Sequence, residues 1–237
     1  MLNFNSEPRS DRVIVAFDCD KKRAFELADM LSGHAKWVKV GMTLFYQEGP
    51  AIVKELKDRG FNVFLDLKFH DIPHQVEGAA RSAISAGADM VTMHAIGGVE
   101  MMKAAKKGVD DAAQGNNPIT LAVTVLTSMN KETLNATGVS GEIIDQIRRL
   151  ALQAQEACLT GVVASPHEAN MLRELLGSDA FIVTPGVRPT GASLDDQSRV
   201  MTPKEAFDQG ASHIVIGRPV TGASDPRAAF DEIVKGL

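Results

Sequence analysis

The sequence predicts a (β/α)8 TIM barrel formed as one domain over residues 1–237. Three observations carry that expectation. Eight short β-branched runs alternate with eight segments of helical period, and strict alternation means parallel strands joined by crossover helices. The runs are continuously apolar, as strands buried on both faces are. The turn after the first run, "FDCDKKRA", has no glycines, whereas the alternative architecture, a doubly wound open sheet, would carry a Gly-rich turn there. A chain of 237 residues with 44% hydrophobic content suits one core of this kind.

The elements follow in order. Strand one is 13–17 (VIVAF), followed by a helix over 21–32. Strand two is 36–40 (KWVKV), and the next helix, 44–59, stops at the glycine of "DRG". Strand three is 62–66 (NVFLD), with a helix over 74–87 ending on "SAG". Strand four is 89–93 (DMVTM) and its helix 99–114; strand five is 120–125 (TLAVTV) and its helix 140–159. Strand six is 161–164 (GVVA); Ser165 before Pro166 then starts a helix over 166–176. Strand seven is 180–184 (AFIVT), with a helix over 203–210 ending on "DQG"; strand eight is 213–217 (HIVIG), and a helix over 226–236 closes the chain.

Composition removes several function classes. Net charge is −5, and no Lys/Arg stripe is interleaved with aromatics, so no nucleic-acid partner is expected. No apolar run approaches the roughly 18 residues that span a bilayer, and "MLNFNSEPRSDR" lacks the apolar core of a signal peptide. Cys19 and Cys158 stand far apart and in no CxxC pattern, which fits a cytoplasmic protein. Cys19 follows Asp18 at a strand end, but nothing argues for a depressed pKa, and an inert thiol is expected.

A barrel puts its chemistry at the C-terminal ends of the strands. Polar groups collect there. Strand one ends in Asp18, and strand two carries Lys39 between Val38 and Val40, on the face opposite theirs. Strand three ends in Asp66, with Lys68 and Asp71 beyond; Asp66 and Lys68 share a face if the strand runs on. Strand four ends in His94, strand five runs into Thr127 and Ser128, strand seven leads to Arg188, and strand eight to Gly217 and Arg218. A buried Lys39 needs counter-charges, which Asp18 and Asp66 can supply. An alternating Asp/Lys array suits a reaction that forms a carbanion: a lysine held cationic by carboxylates stabilises the negative charge and then donates its proton.

The run "VTPGVRPTGASLDDQSRVMTP" (183–203) supplies a second signal. Its middle is rich in Gly, Ser, Thr and Asp without period, as a long functional or disordered loop is, and a lid carrying Gln197 is the expected form. Loops after strands seven and eight are the usual phosphate site of such a barrel. Arg188, Arg218 and backbone N–H groups from Gly217 onward can hold a phosphate dianion there.

The pieces "VAFD" (15–18), "VKVG" (38–41), "DLKFHDIP" (66–73), "VTVLTS" (123–128), "TPGVRP" (184–189), "DQSRVMTP" (196–203) and "VIGRPVT" (215–221) together resemble the orotidine 5'-monophosphate decarboxylase family over essentially the whole length. That resemblance implies a cofactor-free, homodimeric barrel that makes uridine monophosphate and carbon dioxide in de novo pyrimidine biosynthesis. It implies Lys68 as proton donor to C6 of the pyrimidine and Asp66 beside the substrate carboxylate. Lys39 and Asp18 would hold the array and bind ribose hydroxyls, Thr127 would read the pyrimidine edge, and Arg188, Gln197, Gly217 and Arg218 would bind phosphate. Asp71 would reach the partner subunit's site. One departure stands out: after "DIP" the family commonly has Asn-Thr, and here the pair is His74-Gln75, so Gln75 occupies the place of a ribose-binding hydroxyl.

Geometry gives the shared site its own motive. Pro73 keeps Ile72 extended, so Asp71 lies on a short stiff connection pointing away from the lumen, unless it simply caps the helix near 74. Rival readings remain at this stage. "HDIPH" with His94 resembles the metal-binding His/Asp sets of phosphosugar epimerases, and D-x-K-x-x-D also occurs in metal-dependent keto-gulonate phosphate decarboxylases. A non-catalytic phosphate-binding barrel is the third. "DIP" and "TPGVRP" favour the nucleotide branch, for which no metal is expected.

Overall fold

In the computed structural model, residues 4–189 and 201–237 are described. Eight parallel strands close in sequence order: β1 Val13–Phe17, β2 Trp37–Gly41, β3 Asn62–Phe69, β4 Met90–His94, β5 Ile119–Val123, β6 Gly161–Val163, β7 Phe181–Thr184 and β8 His213–Ile216. β8 pairs with β1, and the sheet has no open edge. Helices cover the outside: α1 Lys21–Leu31, α2 Met42–Glu48, α3 Ala51–Asp58, α4 Pro73–Ser85, α5 Val99–Ala112, α6 Lys131–Ala136, α7 Ile143–Glu156, α8 Ala169–Leu176, α9 Pro203–Asp208, α10 Arg218–Thr221 and α11 Pro226–Lys235.

Alternation along each strand splits the core in two. Val13, Val15, Phe17, Val38, Val40, Val63 and Leu65 face the helices and pack with Leu27, Leu31, Leu56 and their neighbours. Ile14, Ala16, Trp37, Phe64, Met90, Leu121, Phe181 and Val183 fill the lumen. Phe4 stoppers the N-terminal end, its ring edge-on to Phe181 at 5.0 Å. The lumen is thus filled mainly by apolar side chains at the Phe4 end, with His213 among them, and the Asp/Lys groups collect at the other.

Local chemistry explains where the helices begin and stop. Asp20 caps α1 by accepting from Arg23 N at 2.9 Å, and Asp225 caps α11 by accepting from Ala228 N at 2.9 Å. Thr202 and Glu205 form a reciprocal capping box at α9, with Pro203 in its first turn.

Several boundaries differ from expectation. The helix expected over 44–59 is two, α2 and α3, because Gly49 takes φ 68° and Pro50 offers no N–H to continue the ladder. The helix expected over 140–159 begins at Ile143, and α6, unforeseen, precedes it with Asn130 as its cap. The segment from 166 opens as a 3-10 turn, Pro166–Glu168, before α8. β5 stops at Val123, and a four-residue helix, α10, follows β8 directly. β3 runs on to Phe69, three residues past its expected end at 66, which carries Asp66 and Lys68 on the strand itself.

Candidate active site

The array at the barrel mouth starts from register. Lys39 pairs with Ala16 on β1 and Phe64 on β3, both lumen residues, so its side chain enters the lumen as expected. It is only 9% exposed. Its Nζ donates to Asp18 Oδ1 at 2.8 Å and lies 3.9 Å from Asp66 Oδ2. Lys68 Nζ in turn lies 2.9 Å from both oxygens of Asp66. Asp18, Lys39, Asp66 and Lys68 therefore form a chain of alternating sign, with buried Lys39 and partly buried Asp66 at its centre and Asp18 at its exposed end. Burying those charges is tolerable only because each has a partner.

Two cavities meet at Lys39. One, about 190 Å³, is lined by Asp66 and Lys68 on one side and by Val123, Val125 and Thr127 on the other. The second, about 340 Å³, is lined by Asp18, Gly186, Arg188, Gly217, Arg218 and Thr221. Lys39, Pro185 and Val215 border both. A small, largely apolar slot carrying the Asp/Lys array thus adjoins a chamber bearing two arginines. Arg188 is buried, and its backbone N–H donates to Met201 O at 3.0 Å, where Val187 bridges to Met201. Arg218 is exposed at the start of α10.

Comparison with known proteins decides the lineage. Residues 11–233 match the model of the orotidine 5'-phosphate decarboxylase / HUMPS family. The chain belongs to that family. A relative from Moorella thermoacetica, named orotidine 5'-phosphate decarboxylase, is 50% identical over 224 residues, covering 92% of this chain and 89% of that one. One of the same name from Maridesulfovibrio salexigens is 45% identical, covering 94% and 96%. Among solved structures, orotidine 5'-phosphate decarboxylase from Lactobacillus acidophilus superposes with a TM-score of 0.85 at 39% identity, covering 95% of this chain and 98% of that one.

The segment matched to the orotidine 5'-phosphate decarboxylase / HUMPS family contains the whole array and both arginines. It also contains Asp71 and Gln75, which line neither cavity. Asp71 is exposed, and its Oδ1 accepts from Ile72 N at 2.7 Å; it does not cap α4, whose N-cap Ile72 makes no side-chain bond. Gln75 is exposed in the first turn of α4. Gln197 lies outside the described residues.

Two site residues escaped the sequence reading. Gly41 ends β2, and a methyl group there would come within 3.0 Å of Asp18 Oδ1 and 3.1 Å of Lys39 Nζ, so the Asp18–Lys39 pair occupies the space glycine leaves. Thr92, fully buried on β4, accepts from Lys68 N at 3.0 Å and donates to Asp66 Oδ1 at 2.8 Å. Its signal was present: Met90 faces the lumen, so alternation along "MVTMH" turns Thr92 and His94 inward too.

Other groups near the mouth are quieter. The His70 and His94 rings lie 5.5 Å apart, and burial foremost, then the neighbouring His70 and Lys68, lowers the His94 pKa. Among the described residues, no three His, Cys, Asp or Glu side chains converge as a ligand set. Burial, then Asp20, raises the Cys19 thiol to about 11, against any nucleophilic use. A larger cavity, about 690 Å³, opens at the opposite end beside Phe4; its charges Lys57, Asp89, Arg81 and Asp111 are tied in ion pairs. Among the described residues, no helix is long and apolar enough to cross a membrane.

Proposed function

We propose that the chain decarboxylates orotidine 5'-phosphate to uridine 5'-phosphate and carbon dioxide, without a cofactor. The observation that carries this reading is the Asp18–Lys39–Asp66–Lys68 chain opening on a small slot that adjoins an arginine-bearing chamber. Relatives at 44–50% identity bear the name of this activity.

In the proposed reaction the pyrimidine enters the slot beside Thr127. Asp18 and Lys39 hold ribose hydroxyls, and Arg188, Arg218, Gln197 and the Gly217 N–H take the phosphate. The bond between C6 and the carboxylate breaks, carbon dioxide leaves, and the electron pair stays on C6. The Lys68 ammonium faces the growing negative charge, gives C6 its proton, and regains one from solvent. Asp66 and Asp18 hold the two lysine side chains in place at the mouth. Interactions stronger in the transition state than in the ground state are the ones that accelerate the reaction.

We further propose a homodimer with shared sites. Exposed apolar residues sit on the segments after four adjacent strands: Met42 and Tyr46 after β2, Ile72 after β3, Ile96 after β4 and Leu126 after β5. Tyr46 is 76% and Ile72 64% exposed, and such groups at one rim support burial against a second copy. Asp71 and Gln75 belong to the same rim, where they would face the partner's ribose. Unpaired Cys19 and Cys158 fit a cytoplasmic biosynthetic enzyme.

The test follows the ultraviolet absorbance of orotidine 5'-phosphate with purified protein, before and after exhaustive chelation. Turnover that survives chelation is expected. No turnover would remove the proposal, and turnover lost to chelator and restored by Mg²⁺ or Mn²⁺ would move the chain to the phosphosugar branch.

A further inference from the structure

The β3–β4 ladder is out of step where the reaction is proposed to occur. Leu65 pairs with Val91 and Phe69 with Met93, so Asp66, Leu67 and Lys68 lie opposite the single residue Thr92. Such a bulge removes regular ladder partners and re-aims side chains. Lys68 also takes φ 53°, a left-handed backbone that a lysine adopts only when its surroundings impose it.

Thr92 supplies that constraint with one hydroxyl. Its Oγ1 accepts from the Lys68 backbone N–H at 3.0 Å and donates its single proton to Asp66 Oδ1 at 2.8 Å. Other strand threonines behave differently: Thr120 on β5 accepts from Thr160 N at 3.0 Å and bonds the Thr160 hydroxyl at 3.0 Å, and Thr184 on β7 donates to His213 O at 3.5 Å. Thr92 alone among these three binds a carboxylate and the amide of the residue two positions on. Among the described residues, the Asp66 carboxylate would without that bond keep the two lysine ammonium groups, Lys68 at 2.9 Å and Lys39 at 3.9 Å, both on flexible side chains.

We infer that Thr92 is a positioning residue for the reaction, its hydroxyl locking the Asp66 carboxylate and the Lys68 backbone into one geometry. The inference rests on the reading of Asp66 and Lys68 as the reacting pair. Thr92 is fully buried and lines neither cavity, so it acts through its neighbours, setting where the Lys68 ammonium stands relative to the reacting carbon. Displacement of such a group by about 1 Å can cost on the order of a hundredfold in rate.

Thr92→Ser and Thr92→Ala lose the same methyl and differ by the oxygen, and Thr92→Val keeps the shape without the hydroxyl. Thr92→Ser should turn over within about threefold of wild type, whereas Thr92→Ala and Thr92→Val should lose about ten- to a hundredfold in kcat with KM changed less than about threefold. Equal losses in Thr92→Ser and Thr92→Ala, or wild-type kcat in Thr92→Ala, would overturn the positioning role. A loss carried by KM alone would do the same. If Thr92→Val does not fold, the Ser–Ala comparison decides. Lys68→Ala serves as the separate control: if it keeps turnover, the reading of the reacting pair fails, and this inference falls with it.

Discussion

Lys68 and Asp66 stand two residues apart on β3, and the ammonium of the first lies 2.9 Å from each oxygen of the second. That contact commits the lysine charge to the barrel mouth before any ligand arrives. In the proposed reaction an incoming substrate carboxylate would meet a lysine already shared with an aspartate. The proposed reaction spends that lysine's proton, so its removal should act on turnover and not on nucleotide affinity. Lys68→Ala is expected to lose at least about a thousandfold in kcat (~4 kcal/mol) while uridine 5'-phosphate binds within about tenfold of wild type. Turnover within about tenfold of wild type would exclude proton donation by Lys68.

Arg218 lines the chamber with Asp18 and Lys39, and its proposed role is to bind phosphate. Arg218→Ala should cost at least about tenfold in kcat/KM for orotidine 5'-phosphate (~1.4 kcal/mol) and little for orotidine, which has no phosphate. Equal losses on both substrates would make Arg218 structural.

Gly41 bears on the same array by steric means. Gly41→Ala sets a methyl against the Asp18 carboxylate and the Lys39 ammonium, both at the ends of flexible side chains. The fold should tolerate it, with a melting temperature within about 3 °C of wild type. The displaced Lys39 should lower kcat by about tenfold (~1.4 kcal/mol). An unchanged kcat would show that the position of Lys39 is not critical.

Asp71 gives the test of the proposed shared site. Asp71→Ala and Lys68→Ala proteins should each be inactive alone and recover activity when mixed under subunit exchange, toward about a quarter of wild type by the arithmetic of two-fold pairing. Demonstrated exchange with no recovery would assign Asp71 to its own subunit.

His213 governs behaviour in acid. It lies 2% exposed in the lumen, stacked on Phe181, and burial foremost, then Arg12 and Lys36, pushes its pKa down from 6.5 to about 3. A histidine whose folded pKa is depressed contributes stability fully above its unfolded pKa and loses it as pH falls. Between about pH 6.5 and 3 the loss approaches about 1.4 kcal/mol per pH unit. His213→Gln should therefore flatten the acid limb of unfolding free energy, measured by urea midpoints, by about one proton. Identical limbs in variant and wild type would contradict this.

Much of this molecule was readable in advance, for identifiable reasons. Each barrel strand is buried on two faces and so spells itself as an apolar run, and Lys39 between two valines announced a lumen charge. What escaped was set by contacts between strands. The bulge at Asp66–Lys68 depends on how β3 meets β4, and Lys68 gives no local hint of positive φ. Gly41 reads as an ordinary strand end until the Asp18–Lys39 pair is seen beside it. The split of 44–59 into two helices was legible in Gly49-Pro50 and was overridden by helical period on both sides.

The two cavities that meet at Lys39 give the barrel an unequal division of labour. Groups after β7 and β8 lie at one end of the mouth and those of β3 and β5 at the other. In the proposed binding mode a nucleotide seated in both would be a cross-brace, anchored by its phosphate on the last strands and by its base on the middle ones. Binding should then stiffen the ring as a whole, because a ligand held only in the folded form raises the cost of opening every segment it ties together. Amide exchange would register that bracing on both sides of the mouth at once, and a ligand lacking either end would brace only one.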